Sequence, residues 1–141
     1  MRKPLISALF LLQLTVTPLW AQLGDTSFVE EDRMISTLTL KVRDAQSAIQ
    51  RVGASVRTLC SQEQAELSQR SEVFAAEVRS FAAEFEVLKA RRAELGRADR
   101  RIASFFESKR QLRGDLLTLQ VKIAELTTRV RPFGEELRRR V

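Results

Sequence analysis

Three apolar stripes, each spaced by alternating steps of three and four residues, run along the chain. The first comprises Ile35, Leu38, Val42, Ala45, Ile49, Val52, Val56 and Leu59, and the second Phe74, Val78, Phe81, Phe85 and Leu88. The third comprises Leu112, Leu116, Leu119, Ile123, Leu126, Val130, Phe133 and Leu137. A helix with 3.6 residues per turn gathers such positions onto one face, whereas a strand would need alternation at every second residue. No sustained alternating run bounded by turn residues occurs, and proline is missing between Gln22 and Arg131, so the chain reads as all-α. Charged residues fill the intervening positions, which predicts long amphipathic helices that pair through their stripes as a coiled coil.

Breaks in the stripes divide the helices. Ser27 and Glu30 have the spacing of a capping box and Asp25 places negative charge at the helix start, predicting a first helix over about 28–60. Within it, Ile35, Val42, Ile49 and Val56 alternate with Leu38, Ala45, Val52 and Leu59, an arrangement that favours a parallel dimer. Beyond Leu59 the same frame would put Glu63, Glu66 and Arg70 in the seam. The pattern resumes at Leu67 and Phe74, predicting a second helix over about 62–95. Arg92 and Asp99 would again break the seam, and Gly96 directly after Leu95 has the character of a helix terminus. Asp99 is suited to cap a third helix over about 99–131, which Pro132 and Gly134 should end or kink.

Two architectures satisfy this pattern. If the breaks are bridged, the helices form an extended rod bent near Gly96, in which roughly 110 residues extend about 165 Å. If both are turns, the chain folds into an antiparallel three-helix bundle. Sparse turn residues favour the rod, because loops between helices usually carry clusters of Gly, Pro, Asn, Asp or Ser.

The N-terminus changes the expected address. Arg2 and Lys3 precede an apolar stretch from Leu5 to Trp20 and the small residue Ala21, which is the layout of a cleavable secretory signal over 1–21. Gln13, Thr15, Thr17 and Pro18 dilute that stretch below the roughly 20 apolar residues of a membrane span. The remaining 22–141 is long enough for one helical domain. The expected location is therefore outside the cytoplasm: the periplasm in a Gram-negative bacterium, otherwise the medium or a secretory lumen. Cys60 is the lone cysteine, so it reads either as a seam contact beside Leu59 or as an intermolecular disulfide between two copies.

Charge is uneven. Residues 22–90 carry 8 basic and 11 acidic side chains, and residues 91–141 carry 14 and 7. Several acid and base pairs have the helix-supporting four-residue order: Glu66 with Arg70, Glu125 with Arg129, Glu135 with Arg139 and Glu136 with Arg140. The acidic first part lying against the basic last part is one use of the asymmetry. The other is a partner surface formed by Phe74, Phe81 and Phe85 together with Arg97, Arg100 and Arg101. Its expected ligands are anionic envelope polymers, acidic lipid headgroups or an acidic helix; nucleic acid is disfavoured because no aromatic platform accompanies the charge.

Catalysis has few residues to draw on. The chain has no His and no Tyr, a single Cys and no glycine-rich loop, so no enzyme activity, metal or cofactor is expected. Glu63 with Glu66 and Glu84 with Glu86 read as solvated helix faces. In length, leader and charge the chain is similar to small exported helical chaperones and to coiled-coil accessory subunits of envelope machines, without a shared motif. The expectation is an exported, non-enzymatic adapter or scaffold that assembles with itself or with another helical envelope protein. Its oligomer seam would be Ile35, Leu38, Val42, Ile49, Val52, Val56 and Leu59 with Leu112, Leu116, Leu119, Ile123, Leu126 and Val130. Alternatives are a periplasmic holdase and a binder of anionic polymers through the basic C-terminal part.

Overall fold

A computed structural model describes residues 26–140. Within them the chain forms three helices and no strand: α1 (Val29–Arg57), α2 (Ser61–Arg97) and α3 (Ala103–Arg140). The predicted signal segment and its cleavage point lie outside the described residues. Each helix packs against the other two, with α2 antiparallel to α1 and α3. The chain thus takes the three-helix form rather than the extended rod.

The rod fails because both frame breaks are turns that need no glycine. Thr58, Leu59 and Cys60 join α1 to α2, and residues 98–102 join α2 to α3, within the two-to-five-residue lengths of helical hairpins. Cys60 (φ −65°, ψ 159°) and Ala98 (φ −75°, ψ 158°) leave the helix by adopting extended backbone, open to any L-residue. The first turn is closed by Thr58, whose hydroxyl donates to Ser55 O at 2.7 Å, and by the Leu59 amide, which donates to Val56 O at 3.2 Å. In the second, Asp99 accepts the Arg101 amide at 3.0 Å, so it caps the turn rather than α3.

The start of α1 also departs from expectation. Phe28 holds the N-cap position without a side-chain cap, and its ring is buried edge-on to Phe105 with centroids 5.9 Å apart. Aromatic packing fixes this helix end. At the other terminus α3 runs through Pro132 and Gly134 to Arg140. Pro132 is on the exposed side, while Phe133 and Leu137 are buried, so packing of the next turn outweighs the amide hydrogen bond that Pro132 cannot make.

Inside the bundle the stripes of α2 and α3 are unbroken but carry polar interruptions. Along α2 the positions run Leu67, Ser71, Phe74, Val78, Phe81, Phe85, Leu88, Arg92 and Leu95; along α3 they run from Phe105 through Lys109 to Leu112 and onward to Leu137. Arg92 is accommodated because its guanidinium lies 3.8 Å from the Phe28 ring centre and donates to both Asp32 carboxylate oxygens at 2.7 and 3.1 Å. A methyl group at Gly96 would stand 3.0 Å from Arg92 Nη1, so glycine there leaves that guanidinium its place. The core divides into a cluster around Phe28, Leu38, Phe85, Phe105 and Leu116, and a second around Val52, Leu67, Val78, Leu126 and Phe133.

Candidate partner-binding groove

The seam residues expected to join chains are packed inside one. Leu38, Val42, Val52 and Val56 of α1 and Leu112, Leu116, Leu119, Ile123, Leu126 and Val130 of α3 are buried between helices, and Ile35, Ile49 and Leu59 are half-buried. Phe85 is buried, and Phe74 and Phe81 are half-buried against the second cluster, where Phe74 meets Phe133 with centroids 5.6 Å apart. Cys60 is exposed in the first turn, so it is not packed at a seam.

Most of the arginine-rich region is engaged within the molecule. Arg92 reaches Asp32, Arg113 donates to Glu31 Oε1 at 3.0 and 3.2 Å, and Arg91 meets Asp115 at 2.6 Å. Arg100 lies 3.4 Å from Thr26 O and 5.6 Å from the Phe28 ring centre, and Arg101 folds onto Asp99. Those hydrogen bonds from Arg101 hold the Asp99 carboxyl below its ordinary pKa. Arg97 is exposed without an ion pair among the described residues.

A ladder of opposite charges closes the α2–α3 interface. Arg91 faces Asp115, Glu84 faces Lys122, Glu77 faces Arg129 and Arg70 faces Glu136, each a step of seven residues along both helices, and Glu63 with Arg140 extends the row at 4.0 Å. These residues flank the apolar seam, where charge sets orientation and register. Sliding α3 by one heptad in one direction would set Arg91 against Lys122 and Glu77 against Glu136, leaving only Glu84 with Arg129 attractive. Sliding it the other way would set Glu84 against Asp115, Arg70 against Arg129 and Glu63 against Glu136, leaving only Glu77 with Lys122. The ladder therefore discriminates against misregistered pairing more than it adds to stability, since each exposed pair contributes about 1 kcal/mol or less. Two local pairs expected from the sequence yield to it: Arg129 bonds Glu77 instead of Glu125, and Arg70 turns from Glu66 to Glu136. The two hydrogen bonds from Arg129 hold the Glu77 carboxyl below its ordinary value and raise the guanidinium of Arg129.

The α1–α3 side is built differently. These two helices run parallel, and near their N-termini they are tied by the Glu31–Arg113 pair and the Phe28–Phe105 contact. Glu31 is fully buried, with Oε2 unpartnered, and Lys109 is buried nearby. Beyond Lys41 the helices no longer seal against each other. A groove of about 990 Å³ opens there, with the half-buried Ala45 and Ile49 lying over the buried Val52, Val78, Leu126 and Val130. Its opening follows from small flanking residues: Ala48 and Ser55 on α1 stand across from Ala124, Thr127 and Gly134 on α3, and none is long enough to cover the floor.

Four cations line this groove, Lys41 and Arg51 on α1 with Arg131 and Arg138 on α3, against one acid, Asp44. None of the five has an ion pair or side-chain hydrogen bond among the described residues. A smaller hollow of about 350 Å³ lies on the α1–α2 side, with Thr39, Gln46, Ala82 and Lys89 among its lining residues. No group of His, Cys, Asp or Glu able to hold a metal ion occurs among the described residues, and no described helix is long and apolar enough to cross a membrane.

The groove residues escape sequence reasoning because nothing along the chain marks them. Ala48, Thr127 and Gly134 matter only once α1 and α3 are parallel and in register. The detectable signal is indirect: small residues beside the seam on both helices, with arginine rather than acid near them.

Fold and groove together define a three-helix bundle with a large groove on its α1–α3 side. No protein family, curated protein or solved structure matches the chain.

Proposed function

We propose that the chain is an exported, non-enzymatic helical adapter that receives a helix of another protein in the α1–α3 groove. The observation that supports it is the groove of about 990 Å³ between α1 and α3, where small flanking residues leave the apolar seam thinly covered. Helix-in-groove recognition uses this kind of surface: an amphipathic helix lays its apolar face on the floor and its flanks against the rim. Self-assembly through the stripes is disfavoured, because those residues already pack within one chain. Export rests on the N-terminal Arg2, Lys3 and Leu5–Trp20 pattern.

A photo-crosslinking residue placed at Ala48, within the groove, and at Leu40, exposed outside it, tests the proposal in the cell of origin. The expected result is one protein joined at Ala48 and none at Leu40. Crosslinks to many unrelated proteins, together with suppression of heat-induced light scattering by a model client, would favour the holdase. A second reading, binding of anionic envelope polymers, draws on the exposed Arg97, Arg100 and Arg101. It requires salt-sensitive retention on heparin that Arg97→Gln, Arg100→Gln and Arg101→Gln together remove; the adapter reading expects that triple change to leave crosslinking at Ala48 intact.

A further inference from the structure

The groove's rim specifies more than the presence of a helix. We infer that its occupant is an acidic amphipathic helix, two heptads long, carrying carboxylates on both flanks of its apolar stripe. This rests on the docking role proposed above and adds the chemistry of the docked segment.

Charge and geometry lead to that conclusion together. The groove is lined by α1 from Lys41 to Ser55, 15 residues, which is about 22 Å of helix, close to the length of two heptads. The Glu31–Arg113 pair sets α3 82 residues ahead of α1, which brings Arg131 to the level of Ile49 and Arg138 to the level of Val56. The cations are therefore spread along the full length and on both sides, from Lys41 at one end through Arg51 and Arg131 to Arg138 at the other. Along the α2–α3 interface and at the N-terminal end of α1, cations beside the seams meet acids: Arg91, Lys122, Arg129, Arg70, Arg92 and Arg113 do. The α2–α3 ladder shows how such flanking residues are satisfied when a helix is present, and the α1–α3 rim supplies one sign of a second ladder.

Other occupants use only part of this surface. A single-headed anionic lipid would neutralise one end and leave the distributed charge unanswered. A polysaccharide would satisfy the rim and leave the apolar floor wet. A second copy seated groove to groove would bring like charges together, which is unfavourable.

The test uses the full chain and three synthetic helical peptides, each with Leu and Ile in two heptads and with flanking positions all Glu, all Gln or all Lys. Titration calorimetry at low salt should show the Glu peptide binding about tenfold more tightly than the Gln peptide and losing that advantage in high salt, with the Lys peptide not bound. Arg131→Glu with Arg138→Glu should reverse the order of the Glu and Lys peptides, whereas Arg97→Glu, at the opposite end of the bundle, should not change it. Gly134→Phe serves as a plug, since a Cβ there meets nothing within 4 Å; it should retain helicity and weaken the Glu peptide at least about tenfold. Equal binding of the Glu and Gln peptides would overturn the acidic assignment and leave helix docking standing. Binding indifferent to Gly134→Phe, or no peptide bound, would overturn the assignment of this groove to such a helix; Ala48 crosslinking then decides separately whether any protein docks there. Binding of phosphatidylglycerol vesicles with none of the three peptides bound, or doubling of the mass without peptide, would replace the proposed occupant with a lipid surface or a second copy.

Discussion

The α2–α3 and α1–α3 interfaces share one helix and differ in nearly everything that surrounds their apolar seams. Along α2–α3, four rungs of opposite charge step by heptads beside the apolar stripe, with Glu63 and Arg140 extending the row, and the interface is closed. Along the C-terminal part of α1–α3 the flanking residues are small, four cations stand without partners and a groove runs over the core. The flanking charges of α2–α3 are satisfied by the facing helix, and those along the α1–α3 groove are not. The contrast shows which face of the bundle is complete.

The largest expected effect separates the two sides by core truncation. Leu116→Ala, at a fully buried position, should lower unfolding stability by about 2–5 kcal/mol in urea titration. Ile49→Ala, at the groove floor, should lower it by about 1–2 kcal/mol because that side chain is only half-buried. Equal losses would remove the distinction between a closed and an open side.

Charge reversal sharpens it. Arg129→Glu places like charges where Glu77 and Arg129 now meet at 2.6 Å, and should lower stability by about 1 kcal/mol after solvent screening. The added change Glu77→Arg should recover most of it in a double-mutant cycle. In contrast, Gly134→Ala should raise stability by up to about 1 kcal/mol through helix propensity alone, since the added methyl meets open space.

The ladder also carries an acid-side signature. Glu77 has its carboxyl pKa depressed in the folded chain, first by its hydrogen bonds to Arg129, so the unfolded chain binds its proton at higher pH. The resulting stability is present above the unfolded value near 4.5 and is lost as pH falls through the lowered folded value. Glu77→Gln should therefore flatten the loss of stability between neutral and acid pH, measured by chemical denaturation at each pH. The smallest effect belongs to the rim: Arg131→Gln or Arg138→Gln should change stability by less than about 0.5 kcal/mol, because neither has a partner to lose.

Much of this was legible in the sequence, unevenly. The α3 stripe from Leu112 to Leu137 is buried at every position its spacing marks. On α1 the stripe is less faithful: Ile35 and Ile49 are half-buried, whereas Met34 and Glu31 are buried, because a helix facing two neighbours needs a face wider than a two-residue seam. The turns are hard to see in the sequence because Cys60 and Ala98 break the helices with extended backbone, a conformation that leaves no residue-type signature. Arg92 and Lys109 obscured stripes that are continuous in space, since Arg92 depends on Phe28 and Asp32, 60 residues away. The groove had no sequence signature beyond small residues, because it is defined by what two distant segments fail to cover.

The central claim is that one chain satisfies its own stripes and leaves the α1–α3 groove for a partner. Small-angle X-ray scattering on the chromatographically resolved full chain tests it most directly. The account requires the mass of one chain and a compact profile governed by helices of about 57 Å, the length of the 38-residue α3. A mass of two or more chains with a longest dimension near 165 Å, the length of roughly 110 residues in one continuous helix, would contradict it.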